Sequence, residues 1–358
     1  MRVLVTIAHY FKQSGQSSWH TGLGSSSSPL PKVAALNAQI VALHRYFGAR
    51  RLSFNPNDPQ GRSAKGSDKL DIVVMTKQNA NLLEWIGIDP KTYSVDYFDG
   101  PPLMLPFEAQ RIMRDRVGQY DFYAYMEDDL IVDDPAIFAK IGWFAREFGP
   151  RALLLPVRYE MASTGTPAKI SLSVRLPKEL RAPYQRSEFA PMVKGCWNGA
   201  EQTFRLPHNP HAGCYVLTND QLRLWINEPT FYDRDASWVS ALESAATYAP
   251  GKVFGLYMSA EPDPWFLQIE HFGARLVARL RQGDQVFGEP LLLALAEAAQ
   301  SDAGGPDQVL VRVGKAGDSL AERAAEAAQL REELRVFKAS RSLLFKTLLA
   351  TMLRKARG

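Results

Sequence analysis

Residues 123–134 read YAYMEDDLIVDD. An aromatic, apolar run stops abruptly at Glu127, Asp128 and Asp129, and Asp133 and Asp134 follow within five residues. Adjacent carboxylates repel one another; a fold keeps them together where water solvates them or where a cation sits among them. Asp133 and Asp134 read as an acidic surface turn, with Asp134 the N-cap of a helix whose first position is Pro135. The other three acids close an apolar strand, where solvation alone is a poor explanation. Carboxylate oxygens suit hard divalent cations, and Mg²⁺ in particular is usually held by one or two carboxylates plus substrate phosphates.

Working outward, Val3–Ala8, Asp71–Met75 and Asp121–Met126 read as buried strands, and ALLLPVRYE (152–160) as one more. Helices are expected between them at Pro31–Phe47, Glu108–Val117 and Pro135–Phe148, the first from apolar spacing at Val33, Leu36, Ile40, Leu43 and Phe47. Strands alternating with helices imply an α/β fold with a mostly parallel sheet and helices on both faces. Such sheets bind ligands beyond the carboxyl ends of their strands, which is where Glu127–Asp129 fall. The second half is less regular: a His-containing loop, a strand and a helix start in HNPHAGCYVLTNDQLRLW, then a helix, a turn and a strand across 233–258. The Ser- and Gly-rich stretch 13–30 reads as a polar loop after the first strand, a common place for ligand loops.

The chain has 358 residues, 46% of them hydrophobic, enough for a sizeable core, and a net charge of +4 that does not point to nucleic acid. That charge is unevenly spread: Arg335, Lys338, Arg341, Lys346, Arg354, Lys355 and Arg357 all lie in the last 25 residues, with no acid among them. The expected organisation is a compact domain over 1–281, a Gly-, Asp- and Ala-rich linker over 282–318, and a basic amphipathic helix over 319–358. Ser319 and Glu322 would form the capping box of that helix. Leu344, Phe345, Leu348, Leu349 and Met352 among the basic residues suit an anionic membrane surface, with oligomerisation or packing on the parent domain as the competing readings. The expected location is cytoplasmic, peripheral on the membrane. No apolar run approaches the ~20 residues of a membrane span, and the N-terminus reads as a strand rather than a signal peptide. The two cysteines, Cys196 and Cys214, have neither a zinc-site nor a disulfide-scaffold spacing and suggest a reducing compartment.

The order VTIAHYF (5–11), EAQR (108–111), YDFYAYMEDDL (120–130), GCYVLT (213–218), ESAATYAPG (243–251) and IEHFG (269–273) resembles GT-A-fold glycosyltransferases, most closely bacterial members that build cell-surface polysaccharides. The resemblance covers about residues 1–280. It implies a Rossmann-like catalytic domain that moves a sugar from a nucleotide-diphosphate donor to a glycan or lipid-linked acceptor. In that family an acidic DxD motif binds the metal and the donor. Here it would be Glu127-Asp128-Asp129, with Glu a departure in the first place. The resemblance makes Asp129 and His271 ligands of Mn²⁺ or Mg²⁺. It places Glu127, Asp128, Ala8, His9, Tyr10 and Arg111 at the donor. His211, with His208, falls on the acceptor side. Glu243 is the candidate base for an inverting reaction, with Asp235 and Asp263 as rivals. A retaining reaction needs no such base, and the sequence leaves that choice open. Trp197 and Trp238 read as core; Trp265 could be core or a sugar platform.

Two other classes compete. A nucleotidyltransferase would carry a Gly-rich, basic phosphate loop after its first strand, and HYFKQSGQSS (9–18) matches weakly. A non-catalytic scaffold or metal-binding protein is recommended only by the basic tail. The D-x-D-x-D-G calcium loop is absent around the acids.

Overall fold

The structure is a computed structural model. It describes residues 1–13, 25–26, 29–55, 58–65, 68–162, 168–171, 176, 178–181 and 184–273. Most of the 13–30 loop, the end of the 1–281 domain, the 282–318 linker and the 319–358 helix lie outside the described residues. What is described falls almost wholly in one compact unit, Met1–Met161 with Lys169–Ala274.

The fold is mixed α/β with several sheets. At its centre lie β1 (Arg2–Ala8), β2 (Lys69–Thr76), β3 (Ser94–Tyr97) and β4 (Phe122–Glu127). The central sheet is completed by Cys214–Thr218 in the order Cys214–Thr218, β4, β1, β2, β3. β1 runs parallel to both β2 and β4, and β2 parallel to β3; only the Cys214–Thr218 edge is antiparallel. Every residue of β1 from Val3 onward is buried, as are the four inner residues of β4. That two-sided burial explains their unbroken apolar runs: a parallel sheet is covered on both faces. The covering helices are α1 (Leu30–Phe47), α2 (Glu108–Arg114) and α3 (Ile137–Phe148). Tyr123, Tyr125, Tyr215, Trp225, Phe107 and Phe144 are among the large side chains wholly enclosed in the core.

Two expectations need correction, and one element is new. The strand ALLLPVRYE is two strands, Ala152–Leu154 and Val157–Ala162, lying in different sheets. Pro156 separates them, because a proline nitrogen has no hydrogen to give a ladder. Helix α3 begins at Ile137, two residues after Pro135. Asp134 still accepts the Ala136 N–H at 2.8 Å and pairs with Lys140, so its carboxylate holds the entry to the helix rather than its first turn. A hairpin, Met192–Trp197 with Ala200–Arg205, was not expected at all. Asn198 and Gly199 form its two-residue turn with φ of 50° and 83°, the left-handed pair that Asn-Gly supplies.

A smaller sheet sets the site. The short strand Leu130–Ile131 follows the acids and pairs antiparallel with Gln268–His271, which in turn runs parallel to Val157–Ala162. These three short strands bring residues from distant parts of the chain to the end of β4.

Candidate functional site

The acids occupy the place a parallel sheet reserves for ligands. Ala8, the last residue of β1, stands beside Glu127, the last of β4. The backbone there is fixed from two sides: the Glu127 N–H donates to the Gly213 carbonyl at 3.0 Å, and buried Gln39 of α1 donates to the Glu127 carbonyl at 2.8 Å. A small cleft opens over these strand ends, lined by Ala8, Tyr10, Lys32, the three acids and Leu242.

Asp128 is neutralised by the protein itself. Lys32 Nζ lies 2.6 Å from one carboxylate oxygen and His9 Nδ1 2.7 Å from the other. His9 Nε2 accepts the Leu82 N–H at 3.0 Å, so the ring proton sits on Nδ1 and is donated to Asp128. His9 is therefore a neutral imidazole, and Lys32 supplies the countercharge. Burial raises the Asp128 pKa, but Lys32 and the His9 bond outweigh it and hold the carboxyl below its ordinary value. Lys32 stands in the first turn of α1, where the helix dipole disfavours a cation; the buried carboxylate is what keeps it there. His9 is fully buried with both nitrogens engaged, so it supports Asp128 from behind rather than forming the cleft surface.

Asp129 meets the other arm. The register of the small sheet pairs His271 with Leu130, and the Phe272 N–H donates to the Asp129 carbonyl at 2.8 Å. His271 Nε2 is thereby 3.5 Å from Asp129 Oδ2, while its Nδ1 is 2.6 Å from Glu160 Oε1. Burial opposes charge on this ring, but Asp129 and Glu160 prevail and push its pKa up to about 9. A carboxylate behind an imidazole is the arrangement that orients metal-binding histidines. Among the described residues no three His, Cys, Asp or Glu side chains converge as a closed metal cage. Were a hard cation to bind here, Asp129 would supply the carboxylate oxygen such ions prefer and His271 would stand beside it, with phosphate and water taking the remaining positions.

Glu127 has no such compensation. Its Oε1 is buried and lacks a hydrogen bond among the described residues; the nearest cationic candidate, His211 Nε2, is 3.8 Å away. Burial and the charge of Asp129 push its carboxyl up to about 8. His211 is itself held neutral, chiefly by burial, and its Nδ1 lies 3.2 Å from the Thr247 hydroxyl. Gly213 closes in from the side: a Cβ there would stand 3.0 Å from Glu127 Oε2, and its φ of +71° favours glycine. Glu243 lies at the end of a one-turn helix that passes into a π-turn, Ser244–Tyr248, an irregularity common at functional sites. Its Oε2 and the Tyr125 hydroxyl are buried and also lack hydrogen bonds among the described residues. Its charge acts on both Glu127 and Tyr125.

The structure thus gathers Ala8, His9, Tyr10, Glu127, Asp128, Asp129, His211, Glu243 and His271 around one strand end. Arg111 is engaged elsewhere, with Glu108 and Asp96, both at 2.6 Å. His208 is held by Arg181 and Tyr184. Of the rival bases, Asp235 is paired with Lys252 at 2.8 Å and Asp263 accepts the Trp265 N–H. Trp238 is core, Trp197 packs on Trp143, and Trp265 is 36% exposed beside Tyr159. Sequence reasoning missed Lys32, Glu160 and Arg158, which carry no local signal. Among the described residues, no helix is long and apolar enough to cross a membrane.

No protein-family model matches the chain, and no curated protein matches it. Among solved structures, S. aureus TarS is similar at a TM-score of 0.39 and 10% identity, over 87% of this chain and 42% of that one. The chain therefore spans less than half the length of that structure.

Proposed function

We propose that the protein is a glycosyltransferase of the GT-A kind, moving a sugar from a nucleotide-diphosphate donor to a glycan or lipid-linked acceptor. One observation carries the reading: three consecutive acids end a central parallel strand, and His271, backed by Glu160, is brought to the third of them. Asp129 and His271 would hold Mn²⁺ or Mg²⁺, which as a Lewis acid stabilises a leaving diphosphate. Asp128, clamped by Lys32 and His9, fixes the strand end on which Asp129 stands. Ala8 and Tyr10 line the donor side of the cleft. In the transfer, the acceptor oxygen bonds the anomeric carbon as the bond from that carbon to the phosphate oxygen breaks, its electron pair leaving with the diphosphate. Glu243 would take the acceptor's proton in an inverting reaction, a role supported by a buried carboxylate oxygen with no competing hydrogen bond among the described residues. His211, 3.8 Å from Glu127, would line the acceptor side.

The test is a thermal shift with UDP, GDP, CDP and dTDP, each with and without Mn²⁺, on wild type and Asp129→Ala. Stabilisation by one nucleotide, dependent on both Mn²⁺ and Asp129, is expected; a ligand at about 100 times its Kd adds ~2.7 kcal/mol. Indifference to all four nucleotides overturns the reading and favours a non-catalytic scaffold.

A further inference from the structure

Arg158 was not singled out by the sequence, and the roles assigned above do not use it. It belongs to the strand Val157–Ala162, whose side chains alternate between two faces. Glu160, two residues on, meets His271 Nδ1, so Arg158 projects from the face that looks toward the acid centre. It is half-buried, yet among the described residues its guanidinium has no hydrogen bond and no carboxylate within ion-pair distance. Across the ladder it stands opposite Ile269, two residues before His271 on the strand that brings that histidine to Asp129.

None of its nitrogens is a buried atom lacking a partner, so solvent reaches the guanidinium and its five N–H donors are open to a ligand. A carboxylate with an unengaged oxygen, Glu127, is near enough to feel the charge, but the two do not close an ion pair. Strand and glycine hold them apart: Glu127 is pinned by Gly213 and Gln39, and Arg158 is carried on a different sheet. The planar guanidinium fork matches phosphate oxygens in pairs. A diphosphate leaving group also carries more negative charge than one divalent cation cancels, so a second positive group has a task here.

We propose that Arg158 binds the diphosphate of the nucleotide donor directly, as a cationic partner distinct from the Asp129–His271 pair. The proposal rests on the glycosyltransferase reading above and adds a phosphate-binding residue to it.

The experiment compares wild type, Arg158→Lys and Arg158→Met by calorimetry and thermal shift. The probes are nucleosides, their 5′-monophosphates and their 5′-diphosphates, all with Mn²⁺, together with the uronate-bearing sugar nucleotide of whichever base binds. Arg158→Met should weaken diphosphate binding about ten- to a hundredfold, the loss of a charge-assisted hydrogen-bonded pair, and leave nucleoside binding unchanged. Arg158→Lys should fall between, keeping the charge and losing the fork. If wild type binds a diphosphate and both variants bind it equally well, the role of Arg158 is overturned and the glycosyltransferase reading stands. An equal loss for nucleoside and diphosphate makes Arg158 structural, and a loss confined to the uronate assigns it to a sugar carboxylate; both overturn the proposal. If wild type binds no nucleotide, the parent reading fails, and this inference with it. Should Arg158→Met fail to fold, Arg158→Lys decides: undiminished diphosphate affinity overturns.

Discussion

Glu127 and Asp128 are neighbours in sequence, and both are withdrawn from solvent, with side chains 12% and 5% exposed. The protein treats them in opposite ways. Asp128 receives a lysine and an imidazole N–H and stays ionised. Glu127 receives no hydrogen bond at Oε1 among the described residues, faces a neutral histidine, and is pushed toward its protonated form. Compensated charge belongs to the architecture, because a buried ion pair with every oxygen used has nothing left for a ligand. Uncompensated charge marks where something else is to be accommodated. The motif is therefore not three equivalent carboxylates. One is held by a lysine and an imidazole, while Glu127 beside it has a buried oxygen with no hydrogen bond among the described residues.

The largest test of this contrast is Lys32→Met. It strands a buried carboxylate and should cost about 3–5 kcal/mol, read from denaturant melts. Adding Asp128→Asn should recover part of that loss, since removing both partners is far less damaging than removing one. A Lys32→Met protein as stable as wild type would break the comparison. Next comes Gly213→Ala, which needs a left-handed backbone from alanine and drives a methyl onto Glu127 Oε2. About 2 kcal/mol is expected, together with weakened nucleotide binding, and melts with and without ligand separate the two effects.

The last test is Glu127→Gln, which should leave stability nearly unchanged at about pH 4, since no hydrogen bond at Oε1 is lost, and raise it toward neutral pH, where the wild-type fold must hold a proton that the unfolded chain has released. Its signature lies in pH dependence. The Glu127 carboxyl moves from an ordinary 4.5 up to about 8, so the folded state keeps a proton that the unfolded chain has released. The stability tied to that proton is complete below the unfolded value and is lost as pH rises through the folded one. His271, raised from 6.5 to about 9, acts in the same direction over a higher window. Wild type should therefore lose stability steadily between about pH 5 and 9. Glu127→Gln should flatten the lower part of that fall and leave the upper part. Parallel curves would show that Glu127 is not the group titrating.

Much of the fold was legible because buried parallel strands are written as contiguous apolar runs; β1, β2 and β4 appear in the sequence almost to the residue. The acids were legible because they interrupt one of those runs. What escaped had two causes. The hairpin 192–205 lies on a partly solvated sheet whose first strand is exposed at alternate residues, so its apolar content is low; its Asn198-Gly199 turn was the available signal. The split at Pro156 was visible too, but the apolar residues on either side masked it. The partners of the acids were not legible at all. Lys32 reaches Asp128 across 96 positions and Glu160 reaches His271 across 111. Nothing local distinguishes a lysine that will neutralise a buried carboxylate from one that will face solvent. Arg111, which fits a family position, pairs with Glu108 and Asp96, and neither partner was legible from the motif.

The His9 ring has a consequence for observing this site. The Leu82 amide can donate to Nε2 only while the ring proton sits on Nδ1, facing an ionised Asp128. Neutralise or displace that carboxylate and the tautomer loses its reason, and with it Leu82 loses its acceptor. Deuterium uptake at this single backbone amide, 73 positions from the histidine it serves, would thus report the ionisation state of the acid centre from within, with no label placed in the cleft.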